Sequence, residues 1–221
     1  MARLLRYQAA SYGFDVVEDI SYSAQAPNVI SEVLRLRQAD PDVIVMSSTI
    51  IDALLFMQTF KEQNYFPRMV FGQRGGFMNS DFINVLQEDA NYVFTTARWN
   101  FDLDREISSA LAQEFREASG GIDLIGDVLA NAWNAYLVAL IINQAGSTDP
   151  EAMREVMRTG LNVNPEHDPT GLPGYLSDET GQNIHTTSVV VQMMDGTLHT
   201  VFPTAVAARD GVFPATPWNQ R

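Results

Sequence analysis

The sequence predicts an α/β protein built on a doubly wound, mostly parallel sheet, and three observations carry that prediction. The apolar runs Val43-Ile44-Val45-Met46 and Met69-Val70-Phe71 are too short for helices, and each leads through a polar loop into a helical stretch. Continuous apolar strands alternating with helices mark a parallel sheet covered on both faces. The two loops, Ser47-Ser48-Thr49 and Gly72-Gln73-Arg74-Gly75-Gly76-Phe77, would open on one sheet edge, the carboxyl ends of the strands, where such sheets collect ligands. After Trp99 the pattern changes to helices in succession, so the chain leaves one structural portion for another.

In chain order, a helix runs from the first residues to about Tyr12 and is stopped by Gly13, and Phe14 to Ile20 alternates as a strand would. Asn28 is placed to cap a helix whose Val29, Ile30, Val33, Leu34 and Leu36 form one apolar stripe, which Pro41 ends. The first central strand feeds a helix over Asp52 to Lys61. Pro67 separates it from the second strand, another helix begins near Ser80, and Tyr92 to Ala97 reads as a further strand. Asp104 to Ser119 carries Ile107, Leu111 and Phe115 on one face, an amphipathic surface helix. Leu124 to Gln144 is apolar on most sides, which predicts burial between layers, and Gly146 fits its C-terminal cap. Thr148-Asp149-Pro150-Glu151 combines a capping-box pair with an early proline and starts a short helix closed by Gly160. Asn162 to Leu176 reads as loop. Val189 to Met194 and Thr197 to Phe202 form a hairpin about Asp195-Gly196, a pair suited to a type I′ turn.

Composition excludes several classes. With 221 residues of which 46% are hydrophobic, the chain can bury a proper core. A formal net charge of −13 argues against nucleic acid or an anionic lipid surface as partner. The absence of cysteine rules out disulfides, thiolate metal sites and a cysteine nucleophile. The longest apolar run, Ala135 to Ile142, has eight residues, against the roughly 20 expected of a membrane-spanning helix. The first residues carry charge but no apolar core or cleavage site of a secretory signal.

Catalytic and cofactor signatures are not found: there is no Gly-x-Ser-x-Gly elbow, no Walker loop and no His-Glu-x-x-His helix. His167, His185 and His199 are scattered, and Glu166-His167-Asp168 reads as a solvated loop rather than a cation site. No catalytic residue, metal or cofactor is therefore assigned. The candidate ligand-binding residues are Ser47, Ser48, Thr49, Gln73, Arg74, Gly75 and Trp99, at or just beyond strand ends. Two structural roles compete with binding: the serines could cap the following helix, and the glycines could supply a turn with positive φ. Arg74 offers a planar fork of donors for a carboxylate, with a surface salt bridge as its structural alternative.

The residues also carry a resemblance. Tyr12-Gly13-Phe14-Asp15-Val16-Val17, the helix Ser31 to Leu36 followed by Ala39-Asp40-Pro41-Asp42-Val43, the Gly72-Gln73-x-x-Gly76-Phe77 loop, Ala97-Arg98-Trp99, Ala145 to Asp149 and the Gln192-x-x-Asp195-Gly196 hairpin resemble the branched-chain amino-acid (Leu/Ile/Val) type of ABC transporter solute-binding protein. That resemblance implies a type I periplasmic binding protein fold of two doubly wound lobes with the solute clamped between them. It covers only the C-terminal part of that family. Residues 1–99 would then be second-lobe units lacking their first strand, residues 100–175 a helical segment returning to the first lobe, and residues 176–221 a hairpin and tail returning to the second. The resemblance further implies a small-molecule solute, amino acid or carboxylate, an ABC permease as partner, and a periplasmic or extracellular location, with any signal peptide on a longer precursor. Thr49 stands where the family often has an aromatic ring, and Arg74 where amino-acid binders often place a carboxylate. A sensory domain and a doubly wound enzyme with an anionic substrate remain alternatives on the residues alone. Apolar surface intended for the rest of the family's fold predicts self-association.

Overall fold

A computed structural model describes residues 2–73, 75–103, 106–122, 124–161, 163, 175–185 and 187–220. The chain divides into two compact units. The first holds residues 1–96, 190–201 and 209–221, and the second residues 97–189 and 202–208.

The first unit is the sheet predicted from the apolar runs. Its strands are β1 (Ile44–Ser47), β2 (Val70–Gln73), β3 (Phe94–Ala97), β4 (Val189–Met194) and β5 (Thr197–Phe202), in that spatial order. β1 and β2 run parallel, with Ile44 opposite Val70 and Ser47 opposite Gln73, and β2 and β3 run parallel with Gly72 opposite Thr95. The hairpin joins beside β3, where Tyr92 N–H donates to Met193 O at 2.7 Å and Met193 N–H to Val93 O at 2.9 Å. Asp195 and Gly196 have φ of 56° and 75°, the two left-handed residues that a type I′ turn needs.

Helices α1 (Ala2–Ser11), α2 (Ile30–Ala39), α3 (Ile50–Glu62) and α4 (Ser80–Leu86) complete this unit. α3 packs against α2 and α4. Val33 of α2, Ala53, Phe56, Met57 and Phe60 of α3, Phe82 of α4 and Ile44, Met46 and Val70 of the strands share one buried cluster. The sequence explains the helix ends. Gly13 leaves α1 at a φ of 77°, and Asn79 Oδ1 accepts from Asp81 N–H at 2.8 Å to start α4.

The second unit is helical. α5 (Glu106–Ala118) and the start of α6 (Gly126–Ala145) enclose Trp99, Leu124 and Leu129, with Leu111 and Phe115 packed against them. Further along, Trp133, Leu137 and Ile141 of α6 meet Val156 of α7 (Pro150–Thr159), Leu161 and Val163. Gly146 closes α6 at a φ of 61°, and Gly160 closes α7.

Several expectations fail, each for an identifiable reason. Among the described residues Phe14 to Ile20 has no ladder partner and belongs to no sheet, and Phe14, Val16 and Val17 are 64%, 50% and 59% exposed. Alternation supplies the faces of a strand, but only a neighbour supplies its hydrogen bonds. Asn28 does not cap α2. Val29 holds the cap position and is buried, and its carbonyl accepts the first helical bond from Val33 N–H at 3.0 Å, so burial of an apolar cap residue sets the start. At α7 the cap is Asp149 rather than Thr148, with Oδ1 accepting from Glu151 N–H at 3.1 Å and Ala152 N–H at 3.2 Å. α6 is covered on one side only, with Asn131, Ala132, Asn134, Ala135, Tyr136 and Val138 exposed. Its stretch Val128–Ala145 is long and apolar enough to cross a membrane by length and composition, at a mean hydropathy of 1.2. Asn131 and Asn134 on its exposed side would be costly in hydrocarbon, and Trp133, Leu137 and Ile141 pack it on α7. The expected loop from Asn162 to Leu176 lies mostly outside the described residues, as does Glu166-His167-Asp168. Its flanks, Leu161 and Tyr175, pair antiparallel.

Candidate functional site

In unit one, the parallel register puts the ends of β1 and β2 side by side, Ser47 opposite Gln73, so the following loops emerge from one edge. They touch. A Cβ on Gly76 would lie 2.7 Å from Ser48 O and 2.8 Å from Thr49 O, and glycine alone allows that approach. Gly72 is constrained equally, since a Cβ there would meet the Phe77 ring at 2.1 Å. Neither glycine has a positive φ. The turn reading is thereby corrected for both: these positions are glycine because protein atoms crowd their α-carbons.

The three hydroxyls of the first loop are not equivalent. Ser47 is exposed. Ser48 is 2% exposed, and its Oγ lies 2.7 Å from Tyr22 Oη, whose ring meets Phe56 edge-on at 4.9 Å. Thr49 is exposed and sits at the cap position of α3, but its side chain bonds no backbone amide. Instead its Oγ1 donates to Asp52 Oδ2 at 2.9 Å. The other Asp52 oxygen accepts from Gln25 N–H at 2.9 Å, so a buried carboxylate ties the 21–27 connection to the start of α3. Neither serine caps the helix. Ser48 is buried and fastens the loop, while Ser47, Thr49 and Gly75 are exposed and Gln73 is half-buried.

Arg74 lies outside the described residues. Trp99 belongs to the other unit, where it is 2% exposed within the cluster of Leu124 and Leu129. Its Nε1 is buried with no hydrogen-bond partner among the described residues. Sequence reasoning missed Tyr22, Gln25 and Asp52. The signal for Asp52 was legible, since Thr49-Ile50-Ile51-Asp52 has the spacing of a helix-start box. Nothing local marked Tyr22, 26 residues from its partner.

Two cavities lie away from this edge. A void of about 10 Å³ lies among Met57, Phe60, Val70, Val93 and Trp218, too small for a solute, and a cleft of about 410 Å³ in the second unit is lined by Leu111, Glu114, Trp133 and Tyr136. Among the described residues, no group of three or more His, Asp or Glu side chains could hold a metal ion. The edge thus offers hydroxyls, an amide and backbone groups, the chemistry of hydrogen-bonded recognition.

The family model for periplasmic binding proteins matches residues 1–197. The chain belongs to that family. Among curated relatives of this periplasmic binding protein, Leu/Ile/Val-binding protein homolog 7 of Brucella melitensis is 26% identical over 200 residues, covering 88% of this chain and 49% of the relative. Homolog 8 of Brucella abortus shows the same identity and coverage. This chain spans about half the length of the curated relatives it matches. Among solved structures, a leucine-binding protein from Thermotoga maritima superposes with a TM-score of 0.75 at 15% identity, over 90% of this chain and 54% of that one. A fatty acid ABC transporter substrate-binding protein from Thermomonospora curvata gives a TM-score of 0.72 at 14% identity, over 100% of this chain and 55% of that one. At these identities the structures establish the fold.

Proposed function

We propose that this chain forms part of the solute-binding component of an ABC-type uptake system, working in the periplasm by binding and hinge closure and without chemistry on its ligand. The observation that carries the reading is the shared edge of β1 and β2, where Ser47, Thr49 and Gln73 are brought together in a family of periplasmic binding proteins. In this reading residues 1–99 and 176–221 belong to one lobe, and residues 100–175 return to the other. An ABC permease is the partner implied by the transporter relatives.

The solute in this reading is a small amino acid or organic anion. The relatives' names speak of leucine, isoleucine, valine and fatty acids, which differ in the ammonium but share a carboxylate on an aliphatic tail. Hydroxyl and amide donors at the edge suit that carboxylate, and Arg74 is the sequence's candidate for its charged partner. A clamped ligand needs groups from two lobes, so this chain alone should bind weakly. Amide NMR shifts during titration with leucine, valine and octanoate check the reading. Shifts at Ser47, Thr49 and Gln73 are expected, reduced in Arg74→Ala. Equal shifts from the uncharged amides of the same compounds would remove the carboxylate from it, and shifts confined to the Leu111–Trp133 cleft would move the site.

A further inference from the structure

The direction of the hydrogen bond between Thr49 and Asp52 determines what the first loop can offer a solute. A hydroxyl has one hydrogen to donate and two lone pairs, whereas a carboxylate only accepts. Thr49 Oγ1 donates to Asp52 Oδ2 at 2.9 Å, and Asp52 Oδ1 accepts from Gln25 N–H at 2.9 Å. Asp52 is 3% exposed, so a solute has no access to its oxygens and cannot take the place of the hydroxyl there. Thr49 itself is exposed at the cap position of α3, with its hydrogen committed to the buried carboxylate. Its lone pairs are what remains for the edge. A solute carboxylate, also an acceptor only, finds no donor in them. Gln73, whose backbone lies beside that of Ser47 on the neighbouring strand, differs in carrying a side-chain amide that can donate.

We infer that Thr49, with its polarity fixed by Asp52, acts as a hydrogen-bond acceptor that selects solutes carrying a donor beside their carboxylate, an ammonium or hydroxyl on carbon 2, over plain aliphatic carboxylates. The inference rests on the solute-binding reading above and narrows it. The solute's carboxylate goes to donors of the Gln73 loop, and the group on carbon 2 goes to Thr49, which is not a donor to that carboxylate. Neighbouring strands lie about 4.8 Å apart, a span that two adjacent groups of one small acid can bridge with a hydrogen bond to each side. Donation to a carboxylate polarises the Thr49 oxygen and makes it a stronger acceptor. Asp52 is a positioning residue in this arrangement, because it acts on the solute through Thr49.

The test compares three acids of one carbon skeleton: leucine, 2-hydroxy-4-methylpentanoate and 4-methylpentanoate. Each is titrated into the chain, with affinity read from the amide shifts of Ser47, Thr49 and Gln73. The first two should bind about tenfold more tightly than the third, as expected from one added hydrogen bond. The hydroxy acid and the plain acid carry the same charge, so repulsion from the chain's net charge of −13 does not separate them. Thr49→Val keeps the shape and removes the lone pairs, which should bring the three affinities together, and Thr49→Ser should restore the difference. Asp52→Asn gives the sharpest readout. Its carbonyl stays with Gln25 N–H, its amide nitrogen donates to Thr49 Oγ1, and the hydroxyl hydrogen is released toward the edge, so 4-methylpentanoate should gain and the other two lose. Mere loosening of the loop would weaken all three acids together. Equal binding of the three to the wild type, an advantage for leucine that the hydroxy acid does not share, an unchanged ratio in Thr49→Val, or a parallel loss without reversal in Asp52→Asn would each overturn the role of Thr49 and leave the solute site at the edge standing. Absence of shifts at Ser47, Thr49 and Gln73 with every acid would overturn both.

Discussion

α3 and α6 look alike as sequences and end up in opposite circumstances. Both are rich in apolar residues on most sides. α3 buries Ala53, Phe56, Met57 and Phe60, together with polar Asp52 and Thr59, against strands and helices of its own unit. α6 buries one stripe, Leu129, Trp133, Leu137 and Ile141, and leaves Ala132, Ala135, Tyr136 and Val138 in the open. Apolarity all round a helix therefore states how much cover the helix is suited to, and says nothing of whether this chain provides it. The same holds for strands: Val43–Met46 found β2, whereas Phe14–Ile20 found nothing.

The largest expected effect tests the covered member of the pair. Phe60 is fully buried among Phe56, Tyr65 and the rest of the α3 cluster, so Phe60→Ala should cost about 3–5 kcal/mol in urea unfolding. A loss below 1 kcal/mol, on the order of a surface substitution, would mean that α3 is no better packed than α6.

Next comes the carboxylate that starts α3. Asp52→Ala leaves the Gln25 N–H and the Thr49 hydroxyl without their acceptor, an expected loss of about 1–3 kcal/mol. Asp52→Asn keeps the side-chain shape and one carbonyl acceptor, so it should lose less. Hydrogen exchange at Gln25 is the local readout, and unchanged protection in both variants would show that the 21–27 connection is held by Tyr22 alone.

On the open face of α6, Val138→Glu should change stability by no more than about 0.5 kcal/mol, because the side chain is 47% exposed. A loss of several kcal/mol would break the comparison, since it would show that the face is covered in solution by an association of chains. Sedimentation of the wild type over a range of concentrations separates the two outcomes.

Much of this was legible in the residues. Apolar run length gave the parallel strands, and glycine and proline gave most helix ends, because those signals are local. That the loops after the two central strands open on one edge was legible too, and the register then adds that Ser47 lies opposite Gln73. What local patterns do not carry is partnership. Phe14–Ile20 needed a neighbour, α6 needed a cover, and Ser48 found Tyr22 from a distant connection. Gly72 and Gly76 were legible as special but not as crowded, since the Phe77 ring reaches Gly72 only once their own loop folds back, and the Ser48 carbonyl presses on Gly76 only once the two loops are side by side.

The smallest effect belongs to the second unit, whose 178–182 turn rests on a surface carboxylate where the α3 region rests on buried contacts. Asp178 Oδ1 accepts from Thr180 Oγ1 at 2.7 Å, Thr180 N–H at 2.8 Å and Gln182 N–H at 2.9 Å. The Thr180 hydroxyl first, and then the Gln182 amide, hold this carboxyl below the ordinary aspartate range, because each donor favours the charged form. The unfolded chain lacks those donors, so its aspartate binds a proton at higher pH. The turn is therefore at full strength above the unfolded pKa and weakens as pH falls through the lower folded one. The side chain is fully exposed, so the change should be local, seen as faster exchange at Thr180 and Gln182 in acid without global unfolding. An NMR titration of Asp178 should give a midpoint below that of a free aspartate, and Asp178→Asn should abolish the pH dependence of those two amides. A midpoint at or above the free value would mean that the three donors do not act on the carboxylate in solution, and the turn would then owe its shape to its backbone.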